Sequence, residues 1–212
     1  MTIMQVAAFG GGFKPIYLIG RFFENDLTDQ PANDDILIDD AGAFLYVNHS
    51  TSGVTVSNVR DSVTQSPYTQ RFQEPSPKSK SAWTITGITG TIGPFVQYSE
   101  SPGSTGEETA IFHVRNASTH LGSGGDIGNS ISYTAPRAFA KPGIGLAIVS
   151  TDGGSGGVPS SPWTLLLEDG DPTTTEPKVA AYGQLFDAGQ TGGFSATSSR
   201  ELVMACIFLE QE

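Results

Sequence analysis

The chain has 212 residues, with 26 Gly, 13 Pro, a single Cys, charged residues at only 16% and a net charge of −11. A pI near 4.5 repels nucleic-acid phosphates and anionic membranes, so neither is an expected partner. No run approaches the roughly eighteen apolar residues of a membrane-spanning helix, and one thiol excludes an internal disulfide.

Few charges and many Gly and Pro, above the usual ~7% and ~5%, suit short strands with many turns on a surface of Ser, Thr, Gly and Asn. The start, Met1-Thr2-Ile3-Met4-Gln5-Val6, lacks the basic end and long apolar run of a signal peptide. Synthesis in a cytoplasm without Sec export is therefore expected. The length fits one large β-domain.

Residues 1–35 stand apart as an N-terminal arm. They hold Gly10-Gly11-Gly12, Phe13, one expected strand at 16–23 carrying Phe22-Phe23, and a turn-rich stretch up to Asp34-Asp35. Flexible glycines beside apolar anchors suit an arm that packs on the domain itself or on a partner chain. The body, 36–212, opens with Ile36-Leu37-Ile38, a turn at Asp39-Asp40-Ala41-Gly42, and Ala43-Phe44-Leu45-Tyr46-Val47, a hairpin-like signal. Residues 54–59 alternate apolar and polar. Residues 62–81 are polar, with Pro67, Pro75 and Pro77, and read as a long solvated loop whose Arg71, Lys78 and Lys80 form the nearest thing to a basic patch.

Strands resume at 82–86 and 95–98. In Thr109-Ala110-Ile111-Phe112-His113-Val114-Arg115 the alternation puts Phe112 and Val114 inward and His113 and Arg115 outward. Gly122-Ser123-Gly124-Gly125-Asp126-Ile127-Gly128 reads as a loop. Ser130-Ile131-Ser132-Tyr133-Thr134-Ala135-Pro136 is an alternating strand closed by proline, and residues 144–150 are a strand with small residues on one face and large on the other. Four runs follow, at 162–168, 178–186, 193–197 and 201–209. The last is apolar on both parities, with Leu202, Met204, Cys206 and Phe208 against Val203, Ala205, Ile207 and Leu209. Such a strand belongs in the centre, covered on both sides. Eleven or twelve strands and no helix are expected, because no window shows capped 3.6-residue periodicity.

The chemistry-bearing candidates are weak. Gly153-x-Ser155-x-Gly157 matches the nucleophile-elbow pattern, which needs a strand before and a helix after. Here it lies in a glycine loop. The glycines at 122, 124, 125 and 128 do not fit a dinucleotide fingerprint. His49, His113 and His120 show no metal spacing and read as surface histidines. Asp34-Asp35, Asp39-Asp40 and Glu168-Asp169-Gly170-Asp171 read as turn-capping acids rather than a calcium loop. Glycoside hydrolysis would need two carboxylates flanking a cleft, a distance that sequence does not supply. Asn48-His49-Ser50 and Asn116-Ala117-Ser118 match the glycosylation sequon, idle without secretion. Trp83 and Trp163 read as core residues at strand starts, and Cys206 as a buried structural thiol. No catalytic, cofactor-binding or metal-ligating residue is assigned, and no cofactor is expected.

The C-terminal half carries a further pattern. Pro159-Ser160-Ser161-Pro162-Trp163-Thr164-Leu165-Leu166 is followed by Val179-Ala180-Ala181-Tyr182, then by Gly192-Gly193-Phe194-Ser195-Ala196-Thr197 and Leu202-Val203-Met204-Ala205-Cys206-Ile207-Phe208. This resembles jelly-roll β-sandwich virion proteins of tailed phages and prophages, with residues 130–150 extending the match upstream to about eighty residues. The motif carries no catalytic residues, and the N-terminal third matches nothing. The resemblance implies an all-β antiparallel sandwich of jelly-roll type with an N-terminal arm. It implies a non-enzymatic head-decoration, head-fibre or tail-associated subunit, located in the virion, whose partners are other virion proteins and copies of itself. The alternatives are a carbohydrate-binding module that attaches to host-surface glycan, or a polysaccharide-degrading enzyme.

Overall fold

The computed structural model describes residues 2–6, 16–25, 36–49, 55–61, 64–74, 78–92, 94–98, 107–151, 158–160, 162–169 and 178–211. Among these there is no helix. Fourteen strands occur: β1 Thr2–Val6, β2 Ile16–Asn25, β3 Ile36–His49, β4 Val56–Asp61, β5 Thr69–Glu74, β6 Ser79–Ile92, β7 Pro94–Tyr98, β8 Glu107–Arg115, β9 Thr119–Ala138, β10 Gly143–Thr151, β11 Val158–Pro159, β12 Thr164–Asp169, β13 Lys178–Phe186 and β14 Thr191–Glu210. Every pairing is antiparallel. The first sheet runs β1-β2-β8-β3-β6-β5, the second β11-β14-β10-β13-β12 with β9 also on β14, and β4 pairs with β7 separately.

The two longest strands, β9 and β14, pair along their whole length as one ribbon. Its two halves have different tasks. From Leu202 to Glu210, β14 lies between β9 and β10. Beyond the register shift between Thr197 and Leu202, the ribbon folds back. Residues 130–138 and 191–197 then cover the face of the second sheet that turns away from the first. The corner has three local causes. Gly128 takes a positive φ of 148°, a backbone open to glycine and costly for other residues. The Asp126 carboxylate accepts hydrogen bonds from the Ile127 N–H at 2.9 Å and, across the bend, the Ser132 N–H at 2.8 Å. On the partner strand the Arg200 N–H donates to the Ser198 hydroxyl.

This folding back gives β14 a core on each side. Ala205, Ile207 and Leu209 join Ile144, Leu146, Ile148, Val179 and Ala181 in a cluster that reaches Ala82, Phe112 and Val114 of the first sheet. Leu202, Met204, Cys206 and Phe208 join Ala147, Val149, Ala180 and Tyr182 against Ile131, Ala135, Phe194 and Ala196 of the ribbon's far half. The expectation of a central final strand covered on both faces therefore holds. The same is true of β10, buried at all nine positions: its large residues enter the first cluster and its small ones the second.

The second core is aromatic, and glycine makes room for it. A Cβ on Gly145 would sit 2.7 Å from the Trp163 ring, 2.8 Å from Phe208 and 2.9 Å from Phe186. Phe139 stacks on Phe186 with centroids 4.9 Å apart, and Trp163 meets Phe194 edge-on at 4.9 Å. The Trp163 indole N–H donates to the Gly193 carbonyl at 2.9 Å, so its polar edge is satisfied.

Several expectations are corrected. The stretch 122–128 is not a loop but part of β9. Gly122 and Gly124 lie beneath the folded-back half, where a Cβ on Gly124 would stand 2.4 Å from the Tyr133 ring and one on Gly122 2.4 Å from Pro136. The long loop at 62–81 contains β5 and the start of β6, and Lys80 is 1% exposed rather than part of a solvated patch. Its stem packs over Gly125, and its ammonium sits 2.6 Å from Glu74, its cross-strand neighbour. His113 is buried, not outward, because β8 is an interior strand of a sheet whose second face is also covered there. The turn at Asp39–Gly42 is instead two register shifts inside a continuous β3. The runs at 193–197 and 201–209 are one strand. Gly10–Phe13, Asp34, Asp35, Pro75 and Pro77 lie outside the described residues. Of residues 1–35, β2 pairs with β8 and β1 with β2.

Candidate functional site

The sequence candidates do not converge. Ser155 and Asp171 lie outside the described residues. His49 is on β3 opposite Ser79 and Glu107. Asp39 and Asp40 are on the same strand, remote in the chain from Glu168 and Asp169 on β12. Cys206 is fully buried in the aromatic core, and burial pushes its thiol far above the usual range. Among the described residues, no three His, Cys, Asp or Glu side chains come together as a metal site would require.

Three buried or half-buried carboxylates tie the chain down rather than face a cleft. Asp126 holds the ribbon corner. Asp61, fully buried, closes its loop: its side chain accepts from the Thr64 N–H, and its carbonyl accepts from the Gln65 N–H at 2.9 Å. Glu210 lies 2.5 Å from the Arg137 guanidinium and accepts from the Ala140 N–H at 3.0 Å. Those hydrogen bonds hold its carboxyl below the usual carboxylate range, Arg137 contributing most. Glu210 thus fastens the end of β14 to the connection between β9 and β10.

One polar group is arranged differently. At the margin where β5 and β6 of the first sheet face β9 of the second, Arg71, Thr84, His120 and Ser123 meet. Two backbone irregularities put them there. A register shift between Gln70 and Phe72 turns Arg71 inward, so that its Nε donates to the Thr84 hydroxyl at 2.6 Å. A second shift, between Phe208 and Leu209 on the partner of β9, brings His120 and Ser123 to one face, with Nε2 3.1 Å from the Ser123 hydroxyl oxygen. A small cleft opens beside them, floored by Val114, Ala117 and Leu209 and rimmed by Thr84, Thr86 and Ser118. Burial first, and the Arg71 charge second, lower the His120 pKa to about 4. Burial also lowers that of Arg71.

Chemically, the His120–Ser123 pair is a poor nucleophile. A base with a pKa near 4 takes a proton weakly at neutral pH, and among the described residues no carboxylate orients the imidazole. Arg71 and Ser123 were not singled out from sequence for this margin. Their signal is the bulge, which leaves no mark in residue type. Comparison with protein-family models, curated proteins and solved structures finds no match for this chain.

Proposed function

We propose that the chain is a non-enzymatic structural subunit of a tailed-phage virion, a head-decoration, head-fibre or tail-associated protein displayed in many copies. In this reading the two sheets form a jelly-roll sandwich, and residues 1–35 act as an arm toward neighbouring subunits. The observation that supports it most is where the motif residues fall. Of the residues quoted above for the resemblance, Ala180, Tyr182, Phe194, Ala196 and Phe208 belong to the second core with Trp163 packed on it, and Val179, Ala181, Ala205 and Ile207 belong to the first. The shared pattern is then a packing code, as expected of a module whose task is to hold shape. The acidic, charge-poor surface keeps crowded copies soluble. The outer edge of β1, terminal in its sheet, offers backbone groups for pairing with a neighbour.

Antibody labelling of intact particles tests the reading. A regular array on head or tail is expected. Absence of the chain from purified particles, or turnover of a polysaccharide or ester by the purified protein, refutes it.

A further inference from the structure

We propose that Arg71, with His120 and Ser123 beside it, forms an oxyanion-binding site at the margin between the two sheets, taking a single carboxylate, sulfate or phosphate group.

The chain has 22 acidic and 11 basic side chains, so a cation drawn out of water has carboxylates to spare. Lys78 pairs with Glu201, Lys80 with Glu74 and Arg137 with Glu210. Arg71 is partly buried, yet among the described residues no carboxylate pairs with it, and burial is the sole cause of its lowered pKa. A partly desolvated guanidinium without a counter-charge attracts an anion. Its Nε is committed to Thr84, which fixes the plane of the group and leaves the two terminal nitrogens as a fork of the kind that grips an oxyanion bidentately.

The surroundings complete a receptor for a small anion. The hydrogen bond between His120 Nε2 and the Ser123 hydroxyl leaves one further donor for the anion: the Ser123 O–H when Nε2 carries the proton, or the His120 Nδ1–H when Ser123 donates to Nε2. Lys80 does not compete, because Glu74 neutralises it. Thr84, Thr86 and Ser118 line the adjoining cleft. The site also has a built-in reporter. The charge of Arg71 helps keep His120 deprotonated, so an anion that offsets that charge raises the His120 pKa, and by linkage protonation of His120 strengthens the anion's binding.

The site does not depend on the virion reading. A chain that never joins a particle would still bind oxyanions here, and a particle subunit that binds none leaves that reading intact. The test is an NMR titration of the His120 ring signals in the full chain at constant ionic strength. The probes are sodium sulfate, inorganic phosphate and glucuronate, with glucose as the neutral control. Saturable shifts with at least one anion, an upward move of the His120 pKa on saturation and no response to glucose are expected. Response to glucuronate assigns a carboxylate ligand; response to sulfate or phosphate alone assigns an inorganic or ester oxyanion. Arg71→Gln should weaken binding about ten- to a hundredfold, the range of charged hydrogen bonds. Arg71→Lys, which keeps the charge but not the fork, should fall between. No saturable shift with any anion overturns the proposal. So does unchanged affinity in Arg71→Gln or, should that variant not fold, in Arg71→Lys.

Discussion

Gly145→Ala separates packing from propensity, because the two predict opposite signs. Glycine inside a strand is worse than alanine by about 0.5–1 kcal/mol, so propensity alone predicts a gain. In the structure the added methyl would meet three aromatic rings closer than 3.0 Å: Trp163, Phe208 and Phe186. None can withdraw simply, since the three also touch one another, with centroids 5.7–6.2 Å apart. Overpacking of this kind costs about 1–3 kcal/mol. With three rings in the way the cost should lie in the upper part of that range, about 2–3 kcal/mol, so the net expectation after the propensity gain is a loss of about 1–2.5 kcal/mol, or roughly 2–10 °C in Tm for a domain of this size. Gly193→Ala is the control. That position is exposed, and the nearest atoms to a new Cβ lie at 3.8 and 3.9 Å, so there the propensity gain of about 0.5–1 kcal/mol should appear. Urea denaturation of both variants beside wild type measures the difference. A Gly145→Ala protein as stable as wild type, or a Gly193→Ala protein less stable than Gly145→Ala, refutes the reasoning.

Two further outcomes concern pH. Glu210→Gln should lower the urea midpoint at pH 7. Because the folded carboxyl titrates below its unfolded value, the wild-type advantage exists above the unfolded pKa of about 4.3 and vanishes as pH falls through the folded one; midpoints of both proteins from pH 7 to 3 check this. His120 acts in the same direction for a different reason. Its folded pKa of about 4 lies below the unfolded ~6.5, so the unfolded chain binds the extra proton and stability drops as pH falls from 6.5 toward 4. A ring titration midpoint near 6.5 in the folded protein would contradict it.

Parts of the fold were legible because hydrophobic pattern reports faces. The two-sided apolar run at 201–209 and the small–large alternation of 144–150 gave the shared strand and its neighbour without any structure. The glycine stretch at 122–128 was not legible, since glycine has no strand preference and its reason is tertiary: Tyr133, Pro136 and Lys80 need the space. β5 is short, polar and at a sheet edge, so it looks like loop. Alternation puts His113 on a wet face, whereas the side chain is 2% exposed and so covered. The margin site was hidden for a sharper reason. A one-residue shift sends a side chain to the opposite face, and the shifts beside Arg71 and opposite His120 set Arg71 on Thr84 and His120 on Ser123 at this margin.

A strand shared between two cores has a consequence for unfolding. Residues 202–209 contribute alternate side chains to clusters on opposite faces, so neither core can lose β14 without the other losing half of its wall. Phe208 alone, fully buried and in edge contact with Phe139, Trp163 and Phe186, is the kind of side chain whose truncation to alanine costs about 3–5 kcal/mol. Yet its backbone is hydrogen-bonded into the layer that packs on the first sheet. The two cores should therefore melt as one unit. The chain's two tryptophans are placed to test this. Trp83 is buried on β6 of the first sheet, its indole N–H bonded to the Ser81 hydroxyl at 2.9 Å. Trp163 reports the aromatic core. In Trp83→Phe and in Trp163→Phe, the fluorescence of the remaining tryptophan should follow the same urea midpoint as far-UV circular dichroism of that same variant. If the Trp163 signal changes before the dichroism does, the folded-back half of the ribbon is a separate lid, and β14 does not couple the two cores.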